Sequence, residues 1–433
     1  MSVEWRGAHV RIRNADPIIG TVALPGSKSL TNRYLACAAL ADGPSVITSA
    51  SRSDDTHAMC AGLRALGARV EAHPERPQIA VAGCPGAFRE DDVAIDVGDA
   101  GTAMRFLTAL ACLGFGRRWL DGSARMRQRP IGGLVDALNA LGAHIEYDQR
   151  DGHPPLTVAA RGLTGGEVVL ETSASSQFLS ALLLAAPYAG QDVMIRVEGE
   201  LPSRPYVEMT LGVMRAMGVE ALTADGTRYI VPAFQRYQAG PYAIEPDASA
   251  ATYFWAAAAI TGGRVRVAGL TRASTQGDVR FADTLAQVGC SVQEGPEGLA
   301  VEGPARGRLR GVAVDMNDMP DVVPTLAVVA LFADGPTEIR NVANLRLKET
   351  DRLAALATEL TRLGARVEAR PDGLTIRPPE RLRPAEINTY GDHRMAMSLA
   401  LAGLGTEGVV IREAGCVSKS FPGFFDALAE LGP

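Results

Sequence analysis

Lysine occurs only three times in this 433-residue chain, at Lys28, Lys348 and Lys419, against 40 arginines. A bias toward arginine codons accounts for the arginines better than for the lysines that survive it. A compact ammonium with three rotatable donors and a movable pKa does work that a planar guanidinium does not replace at every site. Each lysine therefore marks a place to look for chemistry. Lys28 stands in LPGSKSLTNR, where Pro25 and Gly26 break a strand and Ser27 and Ser29 flank the lysine ahead of a helix carrying Arg33. Backbone N–H groups at such a helix start attract an anion. The segment is not a nucleotide-binding P-loop, because Ser27 separates Gly26 from Lys28 where that motif joins the two directly.

Similar entries recur along the first half. In DVGDAGTAMRF, Gly98 and Gly101 surround Asp99, a helix begins near Thr102, and Arg105 lies one turn inside; glycine at 101 lets the backbone approach a ligand closely. In GSARMRQRP, Arg125, Arg127 and Arg129 alternate, and an extended segment would point all three into one cavity. Ser175, Ser176 and Gln177 sit at the mouth of a very apolar helix, as neutral donors suited to sugar-like hydroxyls and phosphate oxygens. Capping accounts for one of those serines, but not for the glutamine as well. Ser203, in LPSRPY, opens a further helix.

The second half supplies the acids. Asp315, Asp318 and Asp321 precede an apolar helix; Asn344, Arg346, Lys348, Glu349, Asp351 and Arg352 crowd into nine residues; Asp392, His393 and Arg394 open another apolar run; Lys419 lies in VSKSFP. Taken singly, each is an ordinary helix entry with local ion pairs. Taken together, cationic and polar clusters at the start of apolar helices throughout the chain read as one site for small phosphorylated anions.

A repeat must position these clusters. Helical stretches ending in ALGARVE, ALGAHIE, AMGVEAL, QVGCSVQ, RLGARVE and AELGP place Gly67, Gly142, Gly218, Gly289, Gly364 and Gly432 at spacings of 75, 76, 71, 75 and 68 residues. Each glycine falls where a left-handed helix C-cap is expected, followed by a strand. A near-constant period of this kind argues for a structural repeat. Six mixed units in 433 residues make two domains of three, an α/β organisation with one domain over 21–241 and the other formed by 1–20 with 242–433. The strand-like HVRIR before Pro17 is expected to pair with the C-terminal half, so that two crossings near 20 and 241 form a hinge.

Composition narrows the class. A hydrophobic content of 47% with 21% charged residues is that of a globular protein, and no apolar run is long enough to span a bilayer. The N-terminal segment has no apolar signal core, which predicts a cytoplasmic protein. A net charge of −6 argues against a general nucleic-acid surface. Six scattered cysteines without a CxxC pair predict reduced thiols. The histidines show no metal-ligand spacing, so no metal or cofactor is expected.

In order along essentially the whole chain, PGSKS, GDAGTAMR, RMRQRP, SSQFL, SRPY, DAS at 247–249, QGDVRFAD, MPD, LKETDR, DHRMAM and KSFP resemble the motifs of the 5-enolpyruvylshikimate-3-phosphate synthases, within the enolpyruvyl transferase family. Each motif is weak alone; the ordered set is specific. The resemblance implies a two-domain, inside-out α/β barrel with three βαβαββ repeats per domain, closing over its substrates. It also implies transfer of the enolpyruvyl group of phosphoenolpyruvate to the 5-hydroxyl of shikimate 3-phosphate, with release of phosphate. Ser29, Arg33, Ser175, Ser176, Gln177, Ser203, Asp321, Asn344 and Lys348 then match shikimate 3-phosphate contacts. Gly101, Arg129, Arg352, Arg394 and Lys419 match phosphoenolpyruvate contacts, and Lys28 matches both. Asp321 is assigned as the base for the hydroxyl, with Glu349 and Lys28 serving the carbon. The family implies a monomer and makes glyphosate a possible inhibitor.

Two positions depart from the family's GNAGTAMRP: Asp99 replaces Asn and Phe106 replaces Pro. The carboxylate is mildly unfavourable beside an anion unless Asp99 caps the following helix, and Phe106 predicts altered glyphosate sensitivity. The sister transferase acting on UDP-N-acetylglucosamine shares the fold, but uses a loop cysteine near RMRQRP that this chain lacks. A non-catalytic phosphate-binding repeat protein is the remaining alternative; it would be favoured if the acids were missing, and Asp321 and Glu349 are present.

Overall fold

The structure, a computed structural model, describes residues 2–13, 16–86, 88–171, 175–224, 226–306 and 308–431. By its internal contacts the chain divides into two compact units: Gly26–Ile244, here the N-unit, and Met1–Pro25 with Glu245–Pro433, the C-unit. The N-unit holds helices α1 (Lys28–Ala38), α2 (Asp54–Ala65), α3 (Gly101–Ala111), α4 (Gly132–Ala140), α5 (Ser176–Ala185) and α6 (Arg204–Ala216). The C-unit holds α7 (Ala248–Thr261), α8 (Phe281–Val288), α9 (Val323–Val329), α10 (Arg352–Arg362), α11 (His393–Ala400) and α12 (Phe424–Glu430).

Among the described residues, each unit carries three four-stranded sheets of one design. Two strands run parallel, and a hairpin adds antiparallel to one of them. Val93–Asp96, α3, Gly116–Asp121, α4, Ile145–Tyr147 and Leu156–Ala160 trace one such βαβαββ repeat, with the last strand seated between the second and third. Alternating burial along Leu156–Ala160 shows a sheet wet on one face. The odd-numbered helices are the inner ones: α9 and α11 are buried along their whole length, and α3, α5 and α7 nearly so. Around α1, α3 and α5, which all touch one another, the N-unit core gathers Leu35, Met104, Phe106, Leu107, Leu110, Leu179 and Leu183. Each such side chain contributes ~1.5–3 kcal/mol on burial, which fixes the helix starts that carry the polar clusters.

Gly67, Gly142, Gly218, Gly289 and Gly364 all have positive φ, from 81° to 114°, directly after helices α2, α4, α6, α8 and α10. Each is followed by the hairpin strand of its repeat; any residue with a Cβ would be strained there. Gly432, the sixth expected marker, lies outside the described residues.

The sixth sheet is completed by the chain's start: His9–Arg13 pairs antiparallel with Val409–Ile411, and Ser2–Arg6 with His9–Arg13. The units change at 25/26 and 244/245, a few residues beyond the crossings at 20/21 and 241/242 that the sequence indicates. Two strands explain the offset. Ile19–Val22 runs parallel to Arg264–Ala268 in the C-unit, and Pro241–Ala243 runs parallel to Pro44–Thr48 in the N-unit.

Candidate functional site

The C-unit gathers its predicted residues into one ion network. Arg352, the first residue of α10, is 1% exposed. Its Nε donates to Asp392 at 2.8 Å, one Nη to Glu349 at 2.8 Å and the other to Asp321 at 3.1 Å. Arg394 donates to the other oxygen of Asp321 at 2.8 Å, and the Lys348 ammonium lies 3.6 Å from the first. Lys419 stands 3.6 Å from Glu349. Asp392 also caps α11, accepting from the Arg394 N–H at 2.9 Å. A capping aspartate thus orients two neighbouring guanidinium groups, one by its side chain and one through the backbone.

Burial pushes the Asp321 carboxyl up, but Arg394, Lys348 and Arg352 outweigh it and hold the group well below the usual carboxylate range. Asp278 behaves oppositely. It is buried, accepts from Ser249, and is raised to about 6 by desolvation and by the neighbouring Asp321, against the pull of Arg394. Two nearby carboxyls in different environments thus titrate apart. Asn344 is buried on a short turn, and its amide oxygen makes no hydrogen bond among the described residues, which leaves an acceptor for a ligand. The remaining candidates of this half serve structure: Asp318 pairs with Arg280, Asp315 accepts from Asn317 and Asn341, and Asp351 caps α10 while binding Arg346.

The N-unit places its candidates at the starts of its inner helices. Lys28 begins α1 and reaches Asp55, in the first turn of α2, at 2.7 Å with both side chains largely buried. Ser175 caps α5 by accepting from the Gln177 N–H, and the Gln177 amide donates to Thr102 at 3.2 Å, tying α5 to α3. Capping does account for one serine and not for the glutamine. Ser176, 5% exposed, opens α5. Ser203 stands ahead of α6 in a left-handed conformation and its hydroxyl caps nothing. The first turn of α3 has no side-chain cap, so its N–H groups remain available to an anion. Arg129 lies against that turn: a Cβ on Gly101 would stand 2.5 Å from its guanidinium.

Arg33 is 2% exposed, and its donors go to Thr210, Ser180 and the carbonyls of Ser29 and Tyr206. Its guanidinium lies over the rings of Phe106 and Tyr206, at 5.3 and 5.8 Å. Burial lowers its pKa to about 10, and within the N-unit it braces α1 against α5 and α6.

The arginine run corrects an expectation. Met126–Gln128 is a 3₁₀ turn, not an extended segment, so alternation does not set its directions. Arg127 pairs with Asp121, Arg125 donates to Gln128, and Arg129 rests against the start of α3. Nor does Asp99 cap α3, whose N-cap is Ala100; it accepts from Ser123 instead.

Nothing local in the sequence marks Asp55, Thr102 or Asp278 as part of the site. The Asp54–Asp55 pair reads as ordinary dipole compensation in a first turn; its partner Lys28 is 27 residues away. Asp278 lies within QGDVRFAD, but only burial separates it from a surface acid. Among the described residues no group of three or more His, Cys, Asp or Glu side chains is arranged to hold a metal ion, and no helix is long and apolar enough to cross a membrane.

Six βαβαββ repeats, three to a unit, with buried inner helices whose starts hold cations and hydroxyls, define a two-domain, inside-out α/β protein built to handle anions. The family model described as EPSP synthase (3-phosphoshikimate 1-carboxyvinyltransferase) matches residues 12–428. The chain is 46% identical over 424 residues, 98% of each chain, to a protein of Aeromonas salmonicida named 3-phosphoshikimate 1-carboxyvinyltransferase. It is 46% identical over 415 residues to one of the same name from Nostoc punctiforme, covering 96% of this chain and 97% of that one. The EPSP synthase structure from Acinetobacter baumannii superposes with a TM-score of 0.81 at 25% identity, over 98% of both chains. The chain belongs to the EPSP synthase family, a family of transferases, and has its fold.

Proposed function

We propose that the chain transfers the enolpyruvyl group of phosphoenolpyruvate to the 5-hydroxyl of shikimate 3-phosphate, releasing phosphate, as a step of the shikimate pathway toward chorismate and the aromatic amino acids. The observation that carries this reading, beyond family membership, is the C-unit network, in which Asp321 is kept ionised by three cations that the substrates' own anionic groups would compete for. Lys28, Ser29, Arg33, Ser175, Ser176, Gln177, Ser203, Asp321, Asn344 and Lys348 serve as shikimate 3-phosphate ligands. Lys28, Gly101, Arg129, Arg352, Arg394 and Lys419 serve phosphoenolpyruvate. Charge-assisted bonds from such groups contribute ~1.5–3 kcal/mol each.

The chemistry is addition followed by elimination. The 5-hydroxyl oxygen bonds to C2 of phosphoenolpyruvate, the C2–C3 π pair takes a proton at C3, and the hydroxyl proton passes to Asp321. The C2–O bond to phosphate then breaks as C3 returns its proton. Asp321 is a feeble base while Arg394, Lys348 and Arg352 hold it. Substrate anions that draw on the same cations raise its proton affinity when it is needed. Glu349, between Arg352 and Lys419, serves the C3 proton with Lys28. Such proton transfers contribute ~10²–10⁴-fold.

The protein works in the cytoplasm, in keeping with its six free cysteines. It works as a monomer, as its family membership implies. Glyphosate acts at the phosphoenolpyruvate subsite, with a response altered from that of proline-bearing relatives: Phe106 is fully buried under the Arg33 guanidinium, so its ring is coupled to the site's wall. The test is phosphate release from phosphoenolpyruvate with shikimate 3-phosphate and, separately, with UDP-N-acetylglucosamine as acceptor. Release with the first alone is expected; release with the second, or with neither, overturns the reading.

A further inference from the structure

Arg129 reaches the start of α3 from a loop held by side-chain as well as backbone bonds. The loop runs from Gly122 to Pro130, its turn Met126–Gln128 is short, and its arginines add like charges. Ser123 ties it to the residues just ahead of α3. Ser123 donates its N–H to the Gly98 carbonyl at 3.0 Å and accepts from the Arg127 N–H at 3.1 Å. Its hydroxyl accepts from the Met126 N–H at 3.1 Å and donates to the Asp99 carboxylate. The Asp99 carbonyl in turn receives Arg129 Nη1 at 3.4 Å. Arg105, buried, braces the same loop through the sulfur of Met126 and the carbonyl of Pro130.

We propose that Asp99 is a positioning residue for Arg129. Through Ser123 it locks the turn that aims the guanidinium at the α3 start, and it thereby sets the affinity of the phosphoenolpyruvate end of the site. A carboxylate suits this task because a hydroxyl bound to an ionised acceptor is held more strongly than one bound to a neutral acceptor. The same negative charge beside an anion site opposes the ligand. An amide at this position would therefore keep the acceptor and relieve the repulsion, whereas alanine would lose the lock.

The proposal rests on Arg129 being a phosphoenolpyruvate ligand, and the test separates the two claims. Asp99→Ala, Asp99→Asn and Ser123→Ala are compared by KM for each substrate, by calorimetric titration of phosphoenolpyruvate in the absence of shikimate 3-phosphate, and by hydrogen exchange at the Met126 and Arg127 amides. Asp99→Ala and Ser123→Ala should each weaken phosphoenolpyruvate about tenfold, the effect of one lost hydrogen bond. They should change KM for shikimate 3-phosphate little and hasten exchange at both amides. Asp99→Asn should restore slow exchange and bind phosphoenolpyruvate at least as well as the parent. Unchanged exchange in Asp99→Ala, or Asp99→Asn behaving like Asp99→Ala, overturns the lock. Faster exchange with unchanged phosphoenolpyruvate binding overturns the role of Arg129 while leaving the lock standing.

Discussion

The two units handle charge in opposite ways. In the C-unit, Lys348, Arg352, Arg394 and Lys419 are interleaved with Asp321, Glu349 and Asp392, so each charge leans on its neighbours and proton affinities move when one partner is drawn away. The N-unit offers helix starts, hydroxyls and an amide at Ser175, Ser176, Gln177, Thr102 and Ser203, with Lys28 tied to Asp55 and Arg33 bonded to Thr210. On the proposed reading, one arrangement serves proton transfer and the other holds a hydroxyl-rich phosphate ester. The lesson is that a fold repeated six times can be specialised by what stands at the starts of its inner helices.

The sharpest way to break this comparison is to remove the pivot of the C-unit. Asp321→Ala should lower kcat by about 10²–10⁴-fold, read as phosphate release at saturating substrates; near-parental turnover would remove Asp321 from the mechanism. Next in size are two buried arginines. Arg352→Leu strands Asp392 and Glu349 without their main partner, and loss of one member of a buried ion pair costs about 3–5 kcal/mol. Arg118 in the N-unit is wholly buried with no carboxylate partner in its bonds, donating to the carbonyls of Ala111, Leu113, Phe88 and Phe115. Arg118→Met, by leaving carbonyls unsatisfied, should cost about 1–3 kcal/mol. Urea unfolding of both variants checks the order; equal costs would contradict the contrast.

Much of this was legible from the chain, for physical reasons that can be named. The C-cap glycines declare themselves because only glycine sits easily at φ near 100°, and apolar helix runs with polar mouths fix the inner helices. Long-range pairings were not legible. Nothing local tells Lys28 that it will meet Asp55, or Arg352 that Asp392, 40 residues on, will hold it. Alternating arginines share a direction only in extended backbone, and here a 3₁₀ turn, with the Ser123 hydroxyl accepting from the Met126 N–H, replaces it. The strands that complete each other's sheets moved the unit boundaries for the same reason: pairing partners are set by topology.

Smaller effects sharpen the comparison further. Gly101→Ala should push the Arg129 guanidinium off the α3 start and raise KM for phosphoenolpyruvate about tenfold, since displacements of an ångström at a positioning group cost up to ~100-fold, with a lesser change for shikimate 3-phosphate. A pH effect gives a further check. The folded pKa of Asp278 is raised to about 6, so the folded state favours its proton. Stability from this group is full below the unfolded pKa near 3.9 and falls as pH rises toward 6. Asp278→Asn should flatten the stability curve across that window, by up to ~3 kcal/mol at neutral pH. Asp321, held low, contributes in the opposite sense: its stabilisation is present above about 3.9 and fades only as pH drops toward its lower folded value. Thermal melts from pH 4 to 7 distinguish the two.

The most direct test of the division of labour is a steady-state comparison of Asp321→Asn with Gln177→Ala, measured side by side for kcat and for KM of shikimate 3-phosphate. The account predicts that the C-unit variant loses kcat by about 100-fold or more while the N-unit variant mainly raises KM; the reverse pattern, or equal losses of kcat in both, would contradict it.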